Sequence, residues 1–160
     1  MKTPPTPAEA VKSVAAKPKN TPVARLRDDE VNLAPVAWGR RLARLVGSKF
    51  HVKMSLDRSK NEGVRRKTRI VIKCAKSHSA PIFVSVDMLA RADEVWGVFL
   101  FVGQGAEIWK CDAHFVRRAA YINRSSQKMA RAELRFKAMQ RGGVLIGHLS
   151  EIEIESCRIP

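Results

Sequence analysis

The sequence predicts an α/β fold, a mixed central β-sheet flanked by helices. Three observations carry that prediction. Val95–Val102 reads VWGVFLFV and is apolar on both faces, so as a strand it needs helices over it on each side. Phe50, Val52, Met54 and Leu56 alternate with His51, Lys53 and Ser55, the period of a half-buried strand, and Arg69–Cys74 is a β-branched run of the same type. Trp38, Leu42, Leu45 and Val46 recur at helical spacing and make one apolar stripe.

Taken in order, residues 1–30 form a flexible basic tail and 31–160 one domain with a core of ordinary size. Met1–Ala24 is rich in Pro, Ala, Lys and Thr and buries too little surface to offset its ordering entropy. Arg25–Val31 is a polar entry. Pro35 suits the first turn of the Trp38 helix, and Gly47 its stop. The alternating strand follows. A polar loop, Arg58–Thr68, turns at Asn61-Glu62-Gly63 into the Arg69–Cys74 strand.

Ser77–Pro81 is a turn and Ile82–Val86 a short strand. Asp87 caps a short helix, Met88–Ala92. Gly103-Gln104-Gly105 joins the buried strand to a return strand over Glu107–Cys111. Asp112 caps a helix reaching about Ile122, and Asn123–Ser126 breaks it. A second helix runs from about Gln127 to Gln140 and ends at Gly142-Gly143. Val144–Ile159, with Ile152 and Ile154 set against Glu151, Glu153 and Glu155, reads as an acidic edge strand.

The totals limit the function classes. No apolar run reaches bilayer length, and the N-terminus lacks the apolar stretch of a signal peptide. Three widely spaced cysteines make no disulfide framework, so an intracellular setting is expected, cytoplasmic or nucleoid-associated. A net charge of +15 points to a polyanionic partner.

The charge is concentrated. Between Lys49 and Lys76 ten cations meet only Asp57 and Glu62. Arg58, Lys60, Arg65, Arg66, Lys67 and Arg69 form the first group of candidate phosphate contacts. The second group is Arg117, Arg118, Arg124, Lys128, Arg131 and Arg135, with Lys128, Arg131 and Arg135 sharing one face of the expected second helix. Phe115 and Tyr121, flanking Arg117 and Arg118, are candidates for base stacking. Trp38, Trp96 and Trp109 lie in apolar patterns and belong to the core.

A separate constellation could hold zinc. Cys74-X3-His78 and Cys111-X2-His114 supply two thiols and two imidazoles near strand ends. Buried cysteines on strands, needing no metal, are the plainer reading.

The order helix, strand, basic turn, strand, short helix, buried strand resembles the PD-(D/E)XK superfamily of restriction-endonuclease-like nucleases and resolvases, over roughly Pro35 to Cys111. The resemblance implies a restriction-endonuclease-like core. It sets Asp57 at the first acid and Val71-Ile72-Lys73 at the acid-X-Lys triplet. Lys73 matches the catalytic lysine, and Val71 departs from the acid. Such nucleases use two carboxylates to hold Mg²⁺, and one carboxylate among cations holds it poorly. The expected function is therefore nucleic-acid binding, to DNA or RNA, through the phosphate backbone and without catalysis. The alternatives are a Mg²⁺-dependent nuclease, with Glu62, Asp87 or Glu94 as a displaced second acid, and a structural part of a larger nucleoprotein assembly.

Overall fold

The structure, a computed structural model, describes residues 37–57, 60–123 and 130–158, all within the unit Ala34–Pro160. The expected basic tail and the Pro35 helix start lie outside the described residues.

A six-stranded mixed sheet is the middle layer, in the order β1-β2-β3-β5-β6-β9. Its strands are β1 (Lys53–Met54), β2 (Glu62–Arg65), β3 (Thr68–Ala75), β5 (Glu94–Phe101), β6 (Gly105–Asp112) and β9 (Gly143–Leu149). β3 and β5 run parallel, and the other neighbours are antiparallel. Between β3 and β5 the chain makes β4 (Ile82–Ser85) and α2 (Val86–Arg91). After β6 come α3 (Ala113–Ala119), β7 (Tyr121–Asn123), β8 (Arg131–Leu134) and α4 (Phe136–Gly142). β4, β8 and β7 pair into a second, three-stranded sheet. A first helix, α1, covers 37–49, and a last one, α5, Glu151–Ser156.

Period-two alternation along β3 builds a core on each face of the large sheet. Ile70 and Ile72 point to α1, where they join Leu42, Val46, Trp96, Ile108 and Ile154 of α5. Val71 and Ala75 point the other way, to Leu89, Val116, Val84, Ala132 and Met139. β5 is buried along nearly its whole length, as its two-sided apolar pattern predicts, and sits between β3 and β6. Each large side chain it removes from water contributes about 2 kcal/mol before conformational entropy is subtracted.

Several local expectations are corrected. Gly47 lies inside α1, where a Cβ would come 2.7 Å from the Met54 side chain; its role is close approach, not termination. The helix stops at His51, whose φ of 57° lets Val52 N–H reach Gly47 O at 2.8 Å and His51 N–H reach Ser48 O at 3.2 Å. The alternating run forms only two residues of strand: Phe50 sits in that turn against Trp96, and Leu56 is exposed. Asn61-Glu62-Gly63 is no turn, because Glu62 and Gly63 belong to β2.

Ser85, not Asp87, caps α2, accepting from Met88 N–H at 3.2 Å. Asp112 does cap α3, but the helix ends at Ala119 and gives way to β7. The expected helix over 127–140 is a strand, β8, followed by the shorter α4. Ala132 and Leu134 alternate inward there, and pairing to β4 outweighs helix propensity. Gly143 ends α4 as expected. Val144–Leu149 is an edge strand, but the acidic segment after it is α5. Ser150 accepts from Glu153 N–H while Glu153 accepts from Ser150 N–H, a reciprocal cap that starts the helix.

Candidate nucleic-acid interface

The β2–β3 hairpin places the first cationic group. Arg65 pairs with Thr68, so Arg66 and Lys67 alone make the turn. Their φ values are 47° and 69°. A two-residue hairpin needs that left-handed geometry to follow strand twist, and Asn-Gly is its usual occupant. An arginine and a lysine there carry roughly 1 kcal/mol of strain each. Both side chains are exposed. Among the described residues, Arg65, Arg66 and Lys67 have no carboxylate partner.

Behind the tip, the α2-facing side of β1, β2 and β3 carries more charge. An open cavity of about 290 Å³ lies there, lined by Lys53, Glu62, Val64, Arg69, Val71 and Arg91 among others. The acids that meet its lining arginines are engaged. Glu62 Oε1 accepts from Arg91 Nη2 at 2.7 Å. Asp93 accepts from the Arg69 backbone at 2.8 Å and from its guanidinium at 3.2 and 3.1 Å. Those hydrogen bonds hold the Asp93 carboxyl below its ordinary pKa and raise that of Arg69.

Lys73 follows Val71 on the same face, beside Gly97 of β5. Burial lowers its pKa, Glu62 opposes that shift, and Arg131 and Arg40 add to it. The carboxylate acting on Lys73 is therefore Glu62, which sits directly opposite Val71 across the β2–β3 pair. Asp57 occupies an exposed loop, pairs with Lys60 at 3.7 Å, and offers its carbonyl to Arg44 at 3.4 Å. Reading Glu62 as a turn residue hid its place on this face. Val71, at the acid position of the triplet, is a core residue only 2 % exposed.

The second cationic group is dispersed. Arg117 closes the end of α2, donating to Leu89 O at 2.8 Å and Ala92 O at 3.2 Å. Arg118 is exposed on α3. Arg131 is exposed on β8, and Arg135, just beyond it, reaches Glu133 at 3.5 Å. The helix face expected for Lys128, Arg131 and Arg135 does not form, because Arg131 is on a strand. Arg58, Arg124 and Lys128 lie outside the described residues.

The four zinc candidates are not brought together. Cys74 lies in the α1-side core with its thiol 3.6 Å from Gly39 O, whereas Cys111 is buried on the opposite side against Met139. His78 stacks on Phe101 at 4.8 Å, and His114 is exposed on α3. Desolvation pushes the Cys74 thiol to about 12 and the Cys111 thiol to about 11, against the thiolate a metal needs. Among the described residues no group of three or more His, Cys, Asp and Glu is placed to hold a metal ion.

Of the stacking candidates, Tyr121 is 69 % exposed, while Phe115 is half-buried against the core and covers Gly142. Trp96 is fully buried, and Trp38 and Trp109 are partly buried against the two cores. Among the described residues no helix is long and apolar enough to cross a membrane. No protein-family model matches the chain, and neither a curated protein nor a solved structure gives a significant match.

Proposed function

We propose that the protein binds nucleic acid along its phosphate backbone, without cleaving it, and that the β2–β3 hairpin is the principal contact. One observation carries this reading. Among the described residues Arg65, Arg66 and Lys67 have no acidic partner, and they stand at a hairpin tip whose backbone is strained to present them. Unrelieved repulsion and backbone strain at one exposed point are what an anionic partner would offset. Phosphate contacts position a protein without reading sequence.

In the restriction-endonuclease-like reading, α1, the β1-β2-β3 meander, α2 and the buried β5 would stand for the helix, hairpin, short helix and buried strand of that core, with β4 as an addition between β3 and α2. The side chains fit Mg²⁺ poorly. Glu62 is held by Arg91, Lys73 stands nearby, and the position of a second acid is taken by buried Val71. A carboxylate already matched by cations gives a hard dication too little charge. Glu62 would then act in the fold, as the partner of Arg91.

Anisotropy titrations with labelled oligonucleotides over a salt series test the proposal. Six to ten phosphate contacts should lower affinity by roughly three to five decades between about 50 and 200 mM salt. Reversing Arg65, Arg66 and Lys67 to glutamate should weaken binding to unrelated sequences about equally. Added Mg²⁺ should leave the oligonucleotide intact. A flat salt response would overturn the reading, and Mg²⁺-dependent cleavage would overturn its non-catalytic part.

A further inference from the structure

The second sheet has two faces. Ile82, Val84, Ala132 and Leu134 point inward to the core. The register sets Phe83 opposite Glu133 and Glu133 opposite Tyr121, so these three form one row across the outer face. Phe83 is 44 % exposed and Tyr121 69 %. β4 and β7 are the two edges of this sheet, so the rings sit two strand spacings apart, roughly 10 Å. Glu133 between them is mostly covered and pairs with Arg135. The next row of the same face carries Arg131 opposite Ser85.

Two exposed aromatic rings on one face are unusual here, because most other rings in the described residues pack into the core. Core packing does not explain them. Arg131 lies on this face, and Arg135 reaches the Glu133 carboxylate in its middle row at 3.5 Å. An aromatic pair beside two arginines suits a ligand that offers flat apolar rings on an anionic backbone. A duplex keeps its bases stacked on each other, whereas a single strand can lay them on side chains.

We infer that the outer face of the β4-β8-β7 sheet is a stacking platform for single-stranded nucleic acid, with Phe83 and Tyr121 each taking a base and Arg131 and Arg135 following the backbone. The inference rests on the nucleic-acid reading above and adds a strand-state preference to it. The hairpin supplies phosphate contacts for any nucleic acid. The platform supplies contacts that only unpaired bases can use.

The test uses the full chain, a labelled oligouridylate and a labelled DNA duplex. Phe83→Leu keeps apolar bulk at an exposed position and removes only the ring, and Tyr121→Leu removes the ring with its hydroxyl. Each should weaken oligouridylate binding about tenfold, the scale of one base stacked on one aromatic ring, and leave duplex binding unchanged. Ultraviolet cross-linking to oligouridylate should place adducts on Phe83 or Tyr121. Unchanged single-strand affinity in both variants would overturn the platform while leaving the hairpin reading standing. Equal losses on duplex and single strand would overturn it too, since the rings would then serve general binding. A changed oligomeric state with unchanged affinity would assign the face to a second copy of this chain. Absence of binding to either nucleic acid would remove both readings together.

Discussion

At the residue scale, Lys73 shows how a position can look functional in a sequence and be set by packing in the fold. Its strand face is otherwise core, with Val71 before it and Ala75 after it. Burial therefore lowers its pKa below the ordinary 10.5. The unfolded chain binds more protons between the folded value and 10.5, so this lysine's contribution to stability improves as pH rises through that window. Below it, charged Lys73 is a standing penalty. Lys73→Met should raise the urea midpoint at pH 7, and the advantage over wild type should shrink as pH approaches 10.5. Paired urea titrations would show it. A midpoint at pH 7 lower than wild type would mean that the interaction with Glu62 outweighs desolvation.

At the element scale, the β2–β3 hairpin separates binding from stability. Natural hairpins of this length place Asn-Gly where this chain has Arg66-Lys67. Arg66→Asn with Lys67→Gly should relieve left-handed strain and stabilise the fold by about 1–2 kcal/mol. The same pair should weaken nucleic-acid binding, because two phosphate contacts disappear. Thermal unfolding and anisotropy on one sample check both signs. A variant that gained stability and kept full affinity would show that the tip does not touch the ligand. α5 illustrates the same scale differently. Its cap is a reciprocal Ser150–Glu153 pair, and hydrogen bonding from the Ser150 backbone, reinforced by Lys49, depresses the Glu153 pKa.

At the scale of the whole molecule, charge is the dominant property. Met1–Ala24 carries four lysines and one acid, so a net +12 of the total +15 belongs to the rest of the chain. Removing residues 1–24 should therefore retain most of the affinity. The salt slope should fall by no more than about three to four, one for each lysine lost. Loss of all measurable binding would transfer the function to the tail and away from the hairpin.

Some features were legible in the sequence because they depend on local or two-sided pattern. The buried β5, the β-branched β3, the Gly103–Gly105 turn and the Asp112 cap are of this kind. Gly105, with φ of 88° and its missing side chain facing the Leu149 carbonyl, can be nothing but glycine there. The concentration of cations near Arg65–Lys67 was equally plain.

Tertiary structure decided the rest. Arg131–Leu134 has helix-compatible residues, but two inward side chains and a free β4 edge make it a strand, and this dispersed the second cationic cluster. Glu62 looked like a turn because Gly63 follows it, yet Gly63 pairs with Met54 of β1 on one side and Ile70 of β3 on the other, which makes it a strand residue. Arg117 and Arg118 are adjacent in sequence, but Arg117 closes the end of α2 while Arg118 faces solvent. Phe83 lies in an apolar run, and only the register with Glu133 and Tyr121 sets it on an outer face. Local pattern determines which residues prefer a strand or a turn. Which face meets the core, and so which cations and rings are left to meet a partner, depends on pairings between segments far apart in the chain.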